Sequence, residues 1–325
     1  MSPRSAGGPR VVVVTPAPRG SRSGNRTTAL RWAGLLRRLH ASVQVVERWQ
    51  GEPCDLLVAV HVVKTAASVL AAAAALPHLR VAVLLAGTDV YPAFRPTAES
   101  LAVLDRADVL IALQPHGVDT LPHALRGKVR TIVQSATGLP AARPATFRAC
   151  VLAHLRPVKA PLLPLLALAT LPRDLPIELV LAGRALTPEL ATAVTEALAA
   201  EPRARWVGEL RRRDALALLA SSHVCIVPST AEGGANVVSE AIAAGTPVLA
   251  SAIPGNLGLL GDDWPATFPP GDVTAAGRLL QRAATDADFY AQLRRRTAAL
   301  MPMVAPAREL AAWRRLLDDL GIANR

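Results

Sequence analysis

Short apolar runs of strand length alternate with helix-length segments from one end of this chain to the other, and that alternation leaves few folds open. Residues 11–14, 43–46, 56–60, 81–85, 109–112 and 129–133 are mostly apolar and bounded by turn residues. They read as strands buried on both faces of a parallel sheet. Between them, residues 25–39, 65–76 and 98–106 have helix length. Residues 135–144, small, polar and proline-bearing, interrupt the pattern as a linker would. The alternation then resumes with strands expected at 149–153, 177–182, 205–207, 224–227 and 247–250. Two successive βα alternations predict an α/β chain of two doubly wound, Rossmann-like domains, placed at residues 10–140 and 147–304. Residues 272–284, 288–300 and 307–320 read as consecutive helices with Pro302 and Pro306 as breaks. The last segment, 305–325, carries Trp313, Leu316 and Leu317 and is available to pack back on the first domain.

The length, 325 residues, supports two domains, each with its own core. With 51% hydrophobic and 19% charged residues, a disordered chain is excluded. Cys54, Cys150 and Cys225 lie far apart in or beside apolar runs, which excludes a disulfide framework and a metal-binding cysteine spacing. A reducing, cytoplasmic setting is expected. Four valines before Thr15 are too few for a signal-peptide core, and no apolar run reaches the ~18 residues of a membrane span. A membrane partner is therefore not expected. The net charge of +11 invites a nucleic-acid partner, but 3% aromatic residues leave few stacking platforms and no five like charges run together. Nucleic acid is therefore not expected either. Lys64, Lys128 and Lys159 are the only lysines, so the basic excess is largely an arginine bias, and any functional charge must be sought locally.

The most informative stretch is Pro228-Ser229-Thr230-Ala231-Glu232-Gly233-Gly234-Ala235-Asn236-Val237-Val238-Ser239-Glu240-Ala241, followed by Ala244-Gly245-Thr246-Pro247-Val248. It opens where a strand ends, the place where open α/β sheets bind ligands. Gly233 and Gly234 leave room for close backbone approach, and the helix after them, beginning near Ala235 and Asn236, offers N-terminal amides to a phosphate. Glu240 lies eight residues beyond Glu232, and its carboxylate suits a ribose diol. The bland alternative is a strand, a glycine turn and an ordinary amphipathic helix.

A second constellation, His154-Leu155-Arg156-Pro157-Val158-Lys159, follows the first strand of the second domain. It is expected to open a helix that puts Arg156 and Lys159 on one face, where two cations would offset charge on a departing diphosphate. Solvated cations are the alternative. Asn256 is read as lying in a loop between Gly255 and Gly258. No Asp-x-Asp metal motif stands where a donor would bind, so neither a metal nor a separate cofactor is expected.

These residues resemble a known family. Glu232-x7-Glu240 followed by Ala-x-Gly-x-Pro-Val is similar to the nucleotide-sugar signature of family 4 glycosyltransferases, and Arg156 with Lys159 to their leaving-group clamp, although Ala153-His154 replaces its usual opening. The resemblance implies the GT-B architecture, two Rossmann-like domains facing a central cleft, with Glu232 contacting the donor sugar and Glu240 the ribose; it makes Arg156, Lys159 and Glu232 the residues expected to carry the chemistry, and gives donor binding to Gly233, Gly234, Ala235, Asn236, Glu240 and Asn256. A narrower likeness runs from about Val11 to Leu320. It is carried by the stretches Thr15 to Ala33 and Gly51 to Ala59, by Gly87-Thr88-Asp89-Val90-Tyr91, Leu113-Gln114-Pro115, Gln134-Ser135-Ala136 and Ile253 to Gly261, besides the stretch around Glu232. In these the chain resembles the selenosugar synthases of bacterial selenoneine biosynthesis. That resemblance implies UDP-N-acetylglucosamine or UDP-glucose as donor, selenophosphate as acceptor, and a 1-selenosugar, UDP and phosphate as products.

The first loop gives the acceptor a physical basis. Arg19, Arg22 and Arg26 surround Ser23, Gly24 and Asn25 at the start of the first helix, and guanidinium groups with helix amides recognise small oxyanions. The same arginines would also suit a solvated loop or the donor diphosphate. Asp89 could orient a substrate or cap a turn, His61 could bind phosphate or serve the fold, and Gln114, Gln134 and Ser135 stand at strand ends where a pocket would form. Trp32, Trp206 and Trp313 read as packing residues. The open alternative for the activity is a conventional nucleotide-sugar transfer to a hydroxyl.

Overall fold

Four consecutive buried valines make the first strand, Arg10–Val14 (β1), and their burial on both faces is what a parallel sheet under helices demands. In this computed structural model residues 8–87, 97–119 and 121–322 are described. The chain divides into two compact units, Met1–Gln134 with Ala307–Arg325, and Ser135–Pro306.

In the first unit β1 is followed by Gly24–Arg38 (α1), Ser42–Val46 (β2), Leu56–Ala59 (β3), Ala66–Ala75 (α2), Arg80–Leu84 (β4), Ala98–Arg106 (α3), Val109–Ala112 (β5), His123–Arg126 (α4) and Val129–Thr131 (β6). All six strands pair in parallel in the order β2-β1-β3-β4-β5-β6. The chain runs from β1 to β2 on one side and returns to β3 on the other, so the order reverses between β1 and β3. α1 starts because Ser23 accepts the Arg26 amide at 3.4 Å, an N-cap of the usual type. Its inner face buries Arg26, Thr28, Ala29, Trp32, Ala33, Leu35 and Leu36.

The C-terminal helix, Pro306–Asp319, closes this unit's core. The Trp313 ring meets Trp32 edge-on with centroids 5.0 Å apart, and Trp32 Nε1 donates to Glu309 Oε1 at 3.0 Å. Trp313, Leu316 and Leu317 are buried with Glu309. Aromatic burial of this kind contributes through area and edge-to-face geometry together.

The second unit runs Phe147–Leu152 (β7), Leu163–Ala169 (α5), Ile177–Ala182 (β8), Pro188–Ala200 (α6), Ala204–Trp206 (β9), Arg212–Ser221 (α7), Val224–Val227 (β10), Asn236–Ala244 (α8), Val248–Ser251 (β11), Pro254–Leu260 (α9), Thr267–Phe268 (β12), Val273–Thr285 (α10) and Ala287–Leu300 (α11). Its sheet is also parallel throughout, in the order β12-β11-β10-β7-β8-β9, and reverses between β7 and β10. β12 has only two residues, too few to give a pattern in the sequence. Both units are Rossmann-like, as the alternation predicts. Among the described residues no helix is long and apolar enough to cross a membrane.

Trp313→Ala is expected to destabilise the first unit by about 3–5 kcal/mol, since it empties a large buried site. Urea unfolding followed by fluorescence checks this; a loss under about 1 kcal/mol would mean the helix contributes little to that core.

Candidate functional site

The site is built where β7 and β10 lie side by side. β10 is buried throughout and β7 along its middle, and the segments that leave their carboxyl ends emerge at the reversal of strand order, the point where doubly wound sheets hold ligands. One segment carries Arg156 and Lys159, the other Ser229 and Glu232. They are stitched together by the Thr230 amide, which donates to the Val158 carbonyl at 2.9 Å.

The first segment corrects one expectation. Residues 154–159 do not open a helix with two cations on a shared face. Pro157–Lys159 forms a single 3-10 turn, Ala160 before Pro161 takes a left-handed conformation at φ 42°, and α5 starts only at Leu163. The residue before a proline is driven out of the helical region, and prolines at 157 and 161 bracket this turn. As a result Arg156 remains exposed at the front of the turn while Lys159 turns inward.

Lys159 meets Glu232. Its ammonium forms an ion pair with Glu232 Oε1, and the Ser229 hydroxyl donates to the same oxygen at 2.6 Å. The side chains are only 18% and 11% exposed, so water screens this pair weakly. The cation expected for a diphosphate and the carboxylate expected for a sugar are therefore direct partners. An incoming anion and an incoming hydroxyl would each find a group already held in place.

Beyond Glu232 the chain turns at Gly233 and Gly234, the latter at φ 153°, and enters α8 through Ala235, which has no capping side chain. Asn236 is the first residue of α8 and Glu240 lies one turn further. Glu240 Oε1 accepts from Arg212 at 2.8 Å, with the carboxylate 13% and the arginine 55% exposed. A cation at the first residue of α7 stands against the helix dipole, and Glu240 offsets that cost. Arg212 carries no signal in the sequence, because its partner is set by how α7 and α8 pack.

Asn256 corrects another expectation. It does not lie in a loop open to donor phosphates; it is fully buried within α9, and its Nδ2 donates to the Ser251 carbonyl at 3.0 Å and the Ser251 hydroxyl at 3.1 Å. The neighbouring Gly255 has no room for a side chain, since a Cβ there would stand 2.1 Å from the Glu232 carbonyl oxygen. The -Gly-Asn-Leu-Gly- pattern looks like a loop, yet Pro254 at the first turn starts a short helix.

The acceptor candidates belong to the first unit. The loop after β1 and the loop after β3 leave the sheet at its own reversal of order, which brings the Arg19–Arg26 segment and His61 to the same end of neighbouring strands. The three arginines do not form one exposed cluster. Arg19 and Arg22 are exposed, with the Arg19 amide donating to Glu47 at 2.8 Å, whereas Arg26 is on the inner face of α1 and its Nη1 is buried without a hydrogen-bond partner. Ser23 caps α1, and Gly24 and Asn25 form its first turn. His61 is buried at φ 139°, its Nδ1 accepting the Lys64 amide at 3.3 Å and its carbonyl the Thr65 hydroxyl. Gln114 is fully buried, and its Oε1 accepts the His116 amide at 2.7 Å to start a 3-10 turn. Asp89 lies outside the described residues.

Neither Cys54 nor Cys225 offers a thiolate. Burial pushes the Cys54 thiol up to about 11, and the hydrogen bond with Cys150, aided by burial, holds Cys225 well above the ordinary thiol range. Cys150 and Cys225 face each other in register on β7 and β10, beneath the site.

Residues 142–299, most of the second unit, match the family model of glycosyl transferases group 1. That stretch is thus similar to group 1 glycosyl transferases, and the two Rossmann-like units match the fold of GT-B glycosyltransferases. Sucrose-phosphate synthase from Thermosynechococcus elongatus aligns with a TM-score of 0.80 at 16% identity, over 98% of this chain and 100% of that one. A glycosyltransferase from Rickettsia africae gives 0.75 at 11% identity over 98% and 100% of the two chains. HepE of Anabaena, solved in complex with UDP-glucose, gives 0.73 at 16% identity over 96% and 99%. No curated protein matches the chain.

Lys159→Met is expected to lower stability by about 1–3 kcal/mol, because the half-buried Glu232 carboxylate loses its cation. Adding Glu232→Gln should recover much of that loss, and chemical unfolding of the full chain measures both. Strict additivity of the two substitutions would mean that the pair contributes nothing.

Proposed function

We propose that this chain is a nucleotide-sugar-dependent glycosyltransferase that moves a sugar from UDP-N-acetylglucosamine or UDP-glucose to selenophosphate, giving a 1-selenosugar. The donor half of this reading is carried by one observation: Lys159, Glu232 and Glu240 are gathered around the β7/β10 reversal of a stretch similar to group 1 glycosyl transferases. Glu240 takes the ribose hydroxyls, exchanging Arg212 for them. Gly233, Gly234 and the first turn of α8, from Ala235 and Asn236, receive the diphosphate, which draws on Lys159 and the exposed Arg156 for positive charge. Glu232 is left to the donor sugar.

The acceptor half rests on chemistry and on the sequence likeness. Arg19 and Arg22 are exposed beside the first turn of α1, a setting that suits a small oxyanion better than a neutral sugar. The selenium atom attacks the anomeric carbon as the carbon–oxygen bond to UDP breaks, and UDP leaves with that electron pair. Water then cleaves the Se–P bond, releasing phosphate and the selenosugar. Selenium already bearing negative charge needs no proton removed, so positioning and charge stabilisation supply the rate.

The test is incubation of the full chain with each UDP-sugar and selenophosphate, followed by mass spectrometry for a seleno-hexose or seleno-hexosamine. Incorporation of selenium is expected, with Arg156→Ala lowering kcat and Glu240→Ala raising the dissociation constant for UDP. Glycosylation of a hydroxyl acceptor without selenium incorporation would replace the acceptor assignment and leave the donor assignment standing.

A further inference from the structure

We infer that Ser251 and Asn256 are positioning residues for Glu232, acting through Ser229; the consequence for catalysis rests on the donor-sugar role proposed for Glu232. A continuous hydrogen-bonded path connects them. The Ser229 hydroxyl donates to Glu232 Oε1 at 2.6 Å, the Ser229 carbonyl accepts from the Ser251 hydroxyl, and Asn256 Nδ2 donates to both the Ser251 hydroxyl and the Ser251 carbonyl. Ser229, Ser251 and Asn256 are all buried. The path crosses from the end of β11 to the end of β10, so the carboxylate is anchored to two strands rather than to its own loop alone.

The direction of the amide is fixed by elementary chemistry. A carbonyl oxygen can only accept, so the Asn256 NH2 group must face Ser251, and Oδ1 must face away. That leaves Oδ1 buried with no hydrogen-bond partner, a desolvation cost that an apolar residue of similar size would avoid. A locally unfavourable choice inside an otherwise consistent core marks a position on which a site depends.

The backbone of Glu232 is held from the same element. Gly255, the residue before Asn256, lies so close that a Cβ would stand 2.1 Å from the Glu232 carbonyl oxygen and 2.7 Å from its Cβ. The start of α9 therefore grips Glu232 twice, by contact with its main chain and through the serines with its carboxylate. Lys159 completes the set from the opposite loop.

Lysine scarcity supplies the readout. With only Lys64, Lys128 and Lys159 in the chain, the ammonium signals of the 15N-lysine-labelled full protein can be assigned, that of Lys159 by its loss in Lys159→Arg. Ser251→Ala, Asn256→Ala and the double variant are each expected to shift the Lys159 signal while Lys64 and Lys128 stay in place. They should lower kcat roughly ten- to a hundredfold without changing the dissociation constant for UDP. The double variant should be no worse than the worse single one, because both act on one path. Ser251→Thr, which keeps the hydroxyl, should restore both signal and kcat; it also serves where Asn256→Ala does not fold. An unmoved Lys159 signal with unchanged kcat, accompanied only by a lower melting temperature, overturns the assignment. If the wild-type chain turns over no UDP-sugar, a shifted Lys159 signal still supports the positioning role, and the donor reading alone fails.

Discussion

The Lys159–Glu232 ion pair joins two loops that leave different strands, and the local architecture of the second unit makes sense around it. Both loops emerge where the parallel order reverses between β7 and β10, so no helix runs directly over the gap. Something must fix the loops there, and a cation and a carboxylate with low exposure do so with direction. The prolines at 157 and 161 supply the turn that points Lys159 inward, and Gly255 permits the close approach that keeps the Glu232 main chain in place. The pair therefore has two uses. It holds the fold at its topological weak point and keeps two charged groups ready where a ligand would enter.

Much of this is legible in the residues alone. Strands buried on both faces announce themselves as short apolar runs, and here even their ends were readable to within a residue or two. The group of residues around Glu232 was legible because its spacing is local: the glycines, the helix start and Glu240 lie within one strand-turn-helix unit. What could not be read is the set of partners. Arg212 finds Glu240, and Lys159 finds Glu232, across distances in the sequence that no periodicity encodes. Asn256 was misread for a different reason. A glycine on either side suggests a loop, whereas Pro254 and packing against Glu232 make a short buried helix of it. The first-loop arginines show the same limit. Their charge was visible, but the turn of α1 that buries Arg26 and leaves Arg19 and Arg22 outside is a matter of helix phase set by the core.

Electrostatics in the two units follow one rule with different outcomes. Where a charged group is buried it meets a committed partner, as Glu309 does with the Trp32 indole and Lys159 with Glu232. Arg26 departs from it, with one guanidinium nitrogen buried and unpartnered at the inner face of α1. Exposed arginines pair with carboxylates at the surface, as Arg10 does with Asp55 and Arg80 with Asp108, in a composition that uses arginine where many chains use lysine.

The return of the C-terminal helix to the first unit has a consequence for how the chain comes into being. The second unit is an uninterrupted stretch, whereas the first is assembled from two stretches, one before it and one after it. During synthesis residues 1–134 leave the ribosome before the helix that covers Trp32, so their core stays incomplete until Pro306–Asp319 emerges. The second unit, continuous and finished sooner, can acquire its structure first. The helix Pro306–Asp319 is thus the closing piece of a core whose other parts lie before the second unit in the chain.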